Sequence, residues 1–115
     1  MELYYHAVDG DVLILSADGG LDASNAESLV RELKTLVDAG ARKLIVDASK
    51  LHYISSYGIA VLVRLHKKLA ESGGDVKLAS VSSRVSRLIT LVGLEHVFEI
   101  FETVDAARAA FKEPN

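Results

Sequence analysis

KLIVDASKLHYISSYGIAVLVRLHKKLAESGG, the stretch from Lys43 to Gly74, decides the fold that we predict for this chain. It begins with the apolar run Leu44-Ile45-Val46, which is short and continuous. Such a run is typical of a strand that is buried on both faces of a parallel or mixed sheet. Asp47 follows at the carboxyl end of the strand, and residues 48–54 are predicted to form a short loop.

A helix is predicted to start directly after this loop. Charged residues recur there at positions i, i+3, i+4 and i+7, and apolar residues cover the remaining surface, which indicates one solvent-facing stripe. Gly73-Gly74 is expected to end the helix. We interpret the basic residues as a solvated face rather than as an anion site, because two of them suit the negative end of the helix dipole. The charged residues of the stripe are Arg64, Lys67, Lys68 and Glu71.

Two serines, Ser55 and Ser56, stand at the amino end of this helix, just beyond a core strand. In open α/β sheets, the edge at the carboxyl ends of the strands is where ligands and partners bind. A serine hydroxyl often accepts a hydrogen bond from an N–H of the first helical turn, so one serine is expected to cap the helix. One cap needs one serine, and the second hydroxyl is left over.

The rest of the chain alternates between further strand and helix patterns. Short apolar runs predict strands over residues 3–8, 12–17, 75–81 and 97–101. Asp9-Gly10 is a strong two-residue hairpin signal, so the first two strands are expected to pair antiparallel. Helical periodicities predict three more helices, which start near Asp22, Ser83 and Thr103.

The first of these helices has two candidate starts. Ser24-Asn25-Ala26-Glu27 fits a capping box, in which the first and last side chains each satisfy a backbone N–H of the other residue. Asp22 is the second candidate, since a carboxylate at that place also interacts favourably with the helix dipole.

The predicted order of elements is β-β-α-β-α-β-α-β-α, with no internal repeat and no linker. This alternation implies an α/β fold: a single domain over residues 1–115 with a mixed sheet of about five strands and about four helices. The first strand pair is the antiparallel part of that sheet. The residues that we expect to be buried include Val46, Val61, Leu62, Leu78 and Leu88.

The composition argues against several classes of protein. The chain has 115 residues, of which 50% are hydrophobic, and a net charge of -3. This mild negative charge argues against direct binding of nucleic acid, which needs a basic surface. The chain contains no cysteine, so it has no disulfide and no thiolate metal site. It shows neither a secretory signal nor an apolar run near the roughly 20 residues of a membrane span, so we expect a cytoplasmic protein without membrane association.

Sequence motifs of catalysis and of cofactor binding are absent. The four histidines are scattered over different elements without the spacing of a metal pair, and no P-loop occurs. A nucleophile–base pair of Ser56 with His52 would lack an oxyanion hole, because nothing in the sequence supplies one. We therefore expect no enzyme activity, no catalytic residue, no metal and no cofactor.

Two segments resemble the signature of the STAS domain family, which includes the bacterial anti-sigma factor antagonists. Residues 45–49, IVDAS, match a strand that ends in Asp-x-Ser. Residues 53–59, YISSYGI, match the family's Asp/Ser-Ser-x-Gly-Leu/Ile at the start of a helix. The turn GGLD at residues 19–22 resembles the family's Gly-x-Leu-Asp, and the predicted order of elements matches over essentially the whole chain.

The resemblance also implies which residues carry the function. In the family, a partner kinase phosphorylates the serine two places before the glycine, which corresponds to Ser56 here. Two positions differ from the common pattern: Ser55 stands where many members have Asp, and Tyr57 stands where they have a small residue. The partner-binding rim that the resemblance implies consists of Asp22, Asp47, Ser55, Tyr57 and Gly58.

The implied function is that of a phosphorylation-controlled binding module. The unphosphorylated form would bind an anti-sigma factor serine/threonine kinase and so release a sigma factor, and a PP2C-type phosphatase would reset the phosphorylated form. The alternative is a constitutive scaffold or interaction subunit of a stress-sensing or lipid-transport complex. A nucleotide-binding regulatory domain is a third hypothesis.

Gly58 is expected to have a packing or docking reason, because glycine costs a helix about 1 kcal/mol relative to alanine. We interpret it as an opening through which the backbone of a partner approaches the serine. Gly58→Ala is then expected to stabilise the fold slightly while it weakens partner binding.

Overall fold

The structure, a computed structural model, describes residues 2–8, 12–94 and 96–112. Along these residues, six strands alternate with four helices. The strands are β1 (Glu2–Val8), β2 (Val12–Leu21), β3 (Lys43–Asp47), β4 (Leu51–Ile54), β5 (Asp75–Ala79) and β6 (Glu99–Phe101). The helices are α1 (Ala26–Asp38), α2 (Ser56–Glu71), α3 (Ser83–Leu91) and α4 (Val104–Lys112).

Five of the strands form the main path of the sheet, in the order β1-β2-β3-β5-β6. β1 pairs antiparallel with β2, so that Val8 lies opposite Val12. The pairs β2–β3, β3–β5 and β5–β6 are parallel. The Asp9-Gly10 turn that we predicted between the first two strands lies outside the described residues.

One strand and part of another were not predicted from the sequence. Residues 51–54, which we predicted as part of a loop, form β4, and β2 continues to Leu21, beyond its predicted end. The two segments pair in parallel, with Leu21 opposite Ile54. The Gly19 N–H also donates to the Lys50 carbonyl at 3.0 Å, just before the paired residues. Every residue except proline carries the backbone donor and acceptor for such hydrogen bonds, so the pattern of side chains did not predict them.

Helices cover both faces of the sheet. Alternate residues of a strand face opposite sides, so Leu13 and Leu15 of β2 pack in the larger core with α1, α2 and α3. Val12 and Ile14 pack on the other face with Ala107 of α4. The amino end of α2 therefore lies on the three-helix face, where β2 and β4 end.

Four of the five residues named as buried in the sequence analysis are indeed buried. Leu88 is the exception and is only partly buried, because α3 turns Val85 and Ile89 inward and Leu88 borders that face. The four buried residues are Val46, Val61, Leu62 and Leu78.

The glycine pair ends α2 as predicted. Gly73 has a φ of 80°, which glycine adopts without strain. Its N–H donates to the Ala70 carbonyl at 3.1 Å, and the Gly74 N–H donates to the Leu69 carbonyl at 2.7 Å. These two hydrogen bonds form a Schellman motif, which satisfies carbonyls that the helix itself cannot pair.

The capping box that we predicted at the start of α1 does not form. The backbone N–H and the hydroxyl of Ser24 both donate to the Asp22 carboxylate instead. Asn25 occupies the N-cap position, where its side chain accepts from the Asp22 N–H at 3.0 Å and donates to the Gly20 carbonyl at 2.7 Å. Asn25 thus closes the loop between β2 and α1, and the Glu27 side chain is left to contact another element.

Leu62→Ala is expected to lower the free energy of unfolding by about 2–5 kcal/mol, because the substitution leaves a cavity in the core. The Leu62 side chain is only 4% exposed. Chemical denaturation followed by circular dichroism measures the change.

Leu91→Ala is the matched control for this truncation. Leu91 is 74% exposed, so its replacement is expected to change the free energy of unfolding by no more than about 0.5 kcal/mol. Equal effects of the two substitutions would mean that α2 does not turn Leu62 toward the sheet.

Candidate functional site

Ser55 is the residue that connects β4 to α2, and all its backbone and side-chain groups have structural partners. Its N–H donates to the Leu21 carbonyl at 2.8 Å, which ties it to the end of β2. Its hydroxyl accepts from the Gly58 N–H at 3.0 Å and its carbonyl accepts from the Ile59 N–H at 2.9 Å. Ser55 is therefore the N-cap of α2, one of the two roles that the sequence left open for the serine pair.

Ser56 is the first residue of α2 and is exposed. Among the described residues, none forms a hydrogen bond with its hydroxyl, and its backbone N–H and that of Tyr57 are also without a partner there. Because Ser55 already caps the helix, the Ser56 hydroxyl is the serine oxygen that remains available at this edge.

Gly58 has a packing role, the first of the two reasons that its place in a helix led us to expect. It is buried, and a Cβ atom added to it would lie 2.9 Å from both the Cγ and the carbonyl oxygen of Leu21. It would also lie 3.1 Å from Cγ1 of Ile54. The missing side chain lets the first turn of α2 lie directly on the end of β2, so packing accounts for the glycine, and its role as an opening for a partner stays a prediction.

Tyr57 belongs to a polar network that joins α2 to α1. Its hydroxyl donates to a carboxylate oxygen of Glu27, and the Arg64 guanidinium lies 3.4 Å from the same oxygen. The hydrogen bond to Glu27 raises the pKa of Tyr57 above its ordinary value, and the same bond, together with Arg64, lowers the pKa of Glu27. This network was not predicted from the sequence, because Tyr57 and Arg64 follow Glu27 by 30 and 37 residues in the chain.

Asp22 follows the end of β2, directly after the residue that pairs with Ile54. Its carboxylate accepts hydrogen bonds from the side chain and the backbone of Ser24, and these bonds lower the pKa of Asp22. Asp22 therefore belongs to the chain segment that is hydrogen-bonded to Ser55, although its carboxylate is used within its own loop.

Asp47 is the last residue of β3, and its hydrogen bonds join it to Ser16 and Ser49 rather than to Ser56. One of its oxygens accepts from the Ser16 hydroxyl at 3.4 Å and the other from the Ser49 N–H at 3.1 Å. Ser16 precedes Leu21 by five residues on β2, which corresponds to about 16 Å of strand. No contact among the described residues joins Asp47 to Ser56, and the grouping of both aspartates around that serine stays a prediction.

Tyr53 adds an aromatic side chain that we did not place in the rim. It lies on β4, two residues before the cap, and is 43% exposed, much like Tyr57 at 42%. The Arg84 guanidinium carbon of α3 lies 5.9 Å from the centre of its ring. The first turn of α3 therefore borders the same edge of the molecule.

The described ranges contain neither a cluster of metal ligands nor a helix that could span a membrane. No three histidine or acidic side chains in them come close enough together to hold a metal ion. Nor does any helix in those ranges combine the length and apolar character needed to cross a membrane.

Comparison with known proteins gives consistent matches over most of the chain. The model of the STAS domain matches residues 6–107. A Bordetella bronchiseptica protein, provisionally named anti-sigma factor antagonist BtrV, is 34% identical over 112 residues, which cover 97% of this chain and 96% of the relative. The anti-sigma-B factor antagonist of Bacillus subtilis is 32% identical over 82 residues, which cover 71% of this chain and 74% of the relative.

A solved structure supports the same fold. The crystal structure of a provisionally named anti-sigma factor antagonist from Thermotoga maritima superimposes with a TM-score of 0.91 at 27% identity. The match covers 96% of this chain and 95% of that protein.

Gly58→Ala is expected to destabilise the fold by about 1–3 kcal/mol, because the added methyl group overpacks the contact with Leu21. The helix-propensity gain of about 1 kcal/mol acts in the opposite direction but is smaller than the cost of moving backbone atoms. Thermal and chemical denaturation measure the net change.

Ala60→Gly serves as the control, because Ala60 is exposed on the same helix and reports propensity alone. It is expected to cost about 1 kcal/mol. If Gly58→Ala were stabilising by a similar amount, the close contact between Gly58 and Leu21 would be refuted.

Glu27→Gln is expected to lower the pKa of Tyr57, and Arg64→Gln is expected to raise it further. Glu27→Gln removes the carboxylate that stabilises the protonated phenol, whereas Arg64→Gln removes the cation that stabilises the tyrosinate. A pH titration of the Tyr57 ring signals by NMR measures both shifts. Because the bond needs a protonated phenol, its contribution to stability is present below the ordinary pKa of tyrosine and is lost as the pH rises through the raised pKa. Shifts of the same sign in both variants would exclude the network.

Proposed function

The chain belongs to the STAS domain family, and we propose that it is an anti-sigma factor antagonist whose binding is switched by phosphorylation of Ser56. In its unphosphorylated form it binds an anti-sigma factor serine/threonine kinase and so releases a sigma factor. The kinase phosphorylates Ser56, the complex separates, and a PP2C-type phosphatase restores the binding form. The names of the relatives support the general role.

The observation that carries this proposal is the difference between the two serines. A kinase needs a hydroxyl that reaches the surface and that the fold does not use. Ser55 is hydrogen-bonded to the Gly58 N–H as the cap of α2, whereas Ser56 is exposed. Modification of Ser56 therefore leaves the cap intact, while modification of Ser55 would replace it.

The electrostatics of the helix end support a switch that acts on the partner rather than on the fold. A phosphoserine adds a charge of about -1.5 to -2. At the first residue of α2, this charge meets the positive end of the helix dipole and the unpaired N–H groups of the first turn. The helix thus tolerates the phosphate, and phosphorylation instead weakens the binding of a partner whose surface covers Ser56.

A docked partner meets a hydrated dianion where a hydroxyl had been. Burial of such a group without compensating cations costs several kcal/mol. Since each 1.4 kcal/mol corresponds to about tenfold in affinity, the affinity is expected to change by about a hundredfold or more.

The proposed partner surface combines residues with different roles. Ser56 and the half-exposed ring of Tyr57 are its outer part, and Asp22, which follows Leu21 at the end of β2, is proposed to complete it. Gly58 lies underneath and acts by holding α2 against Leu21. Asp47 lies beside Ser16 of β2, whereas β4 pairs with residues 19–21. A partner on Ser56 therefore has to extend past β4 to contact Asp47.

Incubation with ATP and each anti-sigma factor kinase of the source organism is expected to add one phosphate to Ser56, which mass spectrometry of the peptides locates. Ser56→Ala is expected to abolish the modification. Ser55→Ala is the matched control: it keeps the phosphate but loses about 1 kcal/mol of stability with the cap. A phosphate on Ser55, or none with any kinase, would contradict the assignment.

The same variants test the switch in binding. Ser56→Asp is expected to imitate the released state and bind the kinase about a hundredfold more weakly, whereas Ser56→Ala is expected to bind permanently. Isothermal titration calorimetry measures both affinities. If Ser56→Asp binds as tightly as wild type, the constitutive scaffold replaces the switch as the better description.

A further inference from the structure

The first turn of α3 shares a surface with the segment that leads into Ser55. The guanidinium of Arg84 lies 5.9 Å from the ring centre of Tyr53, on β4. This distance allows a cation–π contact, which orients the arginine over an aromatic side chain that is itself 43% exposed. A partner that covers Ser56 therefore has α3 as a direct neighbour of its contact area.

α3 carries positive charge that no acid of the described chain balances. Its nine residues, SRVSRLITL, contain two arginines and no acid. Arg84 and Arg87 are both exposed and, three residues apart, lie on one side of the helix. Within the described ranges neither is paired with a carboxylate, whereas Arg64 on the other side of the site is paired with Glu27.

The basic side of α3 continues into exposed apolar side chains. Leu91 follows Arg84 by seven residues and thus lies on the same side of the helix. It is 74% exposed, and Val92 beside it is 49% exposed. Tyrosine and arginine are enriched at protein interfaces, and an adjoining apolar side chain supplies area that a partner can bury.

We propose that the partner which covers Ser56 also lies on α3, where it places carboxylates against Arg84 and Arg87 and an apolar side chain against Leu91. This inference rests on the proposed function and specifies the chemistry of the partner: an acidic surface with an apolar neighbour. A protein fits better than a nucleic acid or an anionic membrane. Those polyanions are bound by many cations together, whereas this chain has a net charge of -3 and, among the residues that the structure describes, only two arginines here without a carboxylate partner.

The test measures the affinity of the unphosphorylated protein for the kinase that phosphorylates Ser56, by isothermal titration calorimetry. Arg84→Glu and Arg87→Glu are each expected to weaken binding by about tenfold or more, since a carboxylate then faces the partner's carboxylates. Arg84→Glu also places an acid in the first turn of α3, which favours the helix. Unchanged melting temperatures would show that the variants are folded, so that their weaker binding does not result from unfolding.

Lys68→Glu is the control, because it changes the net charge equally at a distant exposed position. Lys68 lies 12 residues after Ser56 on α2, which is about 18 Å along the helix axis. We expect its affinity to stay within about twofold of wild type, and a comparable loss would show that the arginine effect reflects only long-range charge.

Further outcomes separate this inference from the proposed function. If both arginine variants bind like Lys68→Glu while Ser56→Asp still weakens binding, the role of α3 is wrong and the switch stands. If no kinase binds or phosphorylates the wild-type protein, both proposals fall. A dimer in analytical ultracentrifugation, or binding to phosphatidylglycerol vesicles, that Arg84→Glu abolishes would assign α3 to a second copy or to a membrane and overturn the inference.

Discussion

The hydrogen bond from the Ser55 N–H to the Leu21 carbonyl joins the two chain segments on which the candidate site depends. It continues the pairing of β2 with β4 to the last residue before α2. Gly58 contributes to the same junction from the other side, because its missing Cβ lets the helix lie on Leu21. The position of Ser56 is therefore set by contacts of its neighbours, and its own side chain is needed for none of them.

This arrangement explains why the hydroxyl that we propose as the phosphate acceptor and the capping hydroxyl belong to different residues. The N-cap oxygen must stay unmodified to satisfy an N–H of the first turn, and removing such a cap costs about 1 kcal/mol. The next residue already has helical geometry, so its side chain leaves the helix at the end where the dipole is positive. A phosphate on Ser56 thus enters a favourable field, and the fold has no reason to rearrange.

The parts of the structure that local sequence predicted are those that local interactions determine. β3, α2 and the glycine stop after α2 all follow from periodicity and end signals within one stretch. β4 could not be predicted in this way, because two exposed residues stand between its apolar ends and because Leu21, the partner of Ile54, lies 33 residues earlier. For the same reason, the sequence showed that Gly58 lowers the helix propensity of α2 but not that it packs on Leu21. It also led us to assign Glu27 to a capping box, although its side chain accepts a hydrogen bond from Tyr57.

The charges on the two sides of Ser56 are arranged differently, and this difference bears on how a phosphate could act. On the α1 side, Glu27 and Arg64 form an ion pair with 49% and 61% of their side chains exposed, a type of pair that contributes little to stability. Its effect is instead to hold the Tyr57 hydroxyl and to offset the negative charge of Glu27, which alone would repel a phosphate. On the α3 side, Arg84 and Arg87 have no such counter-charge among the described residues. A phosphate on Ser56 would add negative charge to the edge that α3 borders, so it would weaken the attraction for the acidic partner that we propose as well as obstruct its approach.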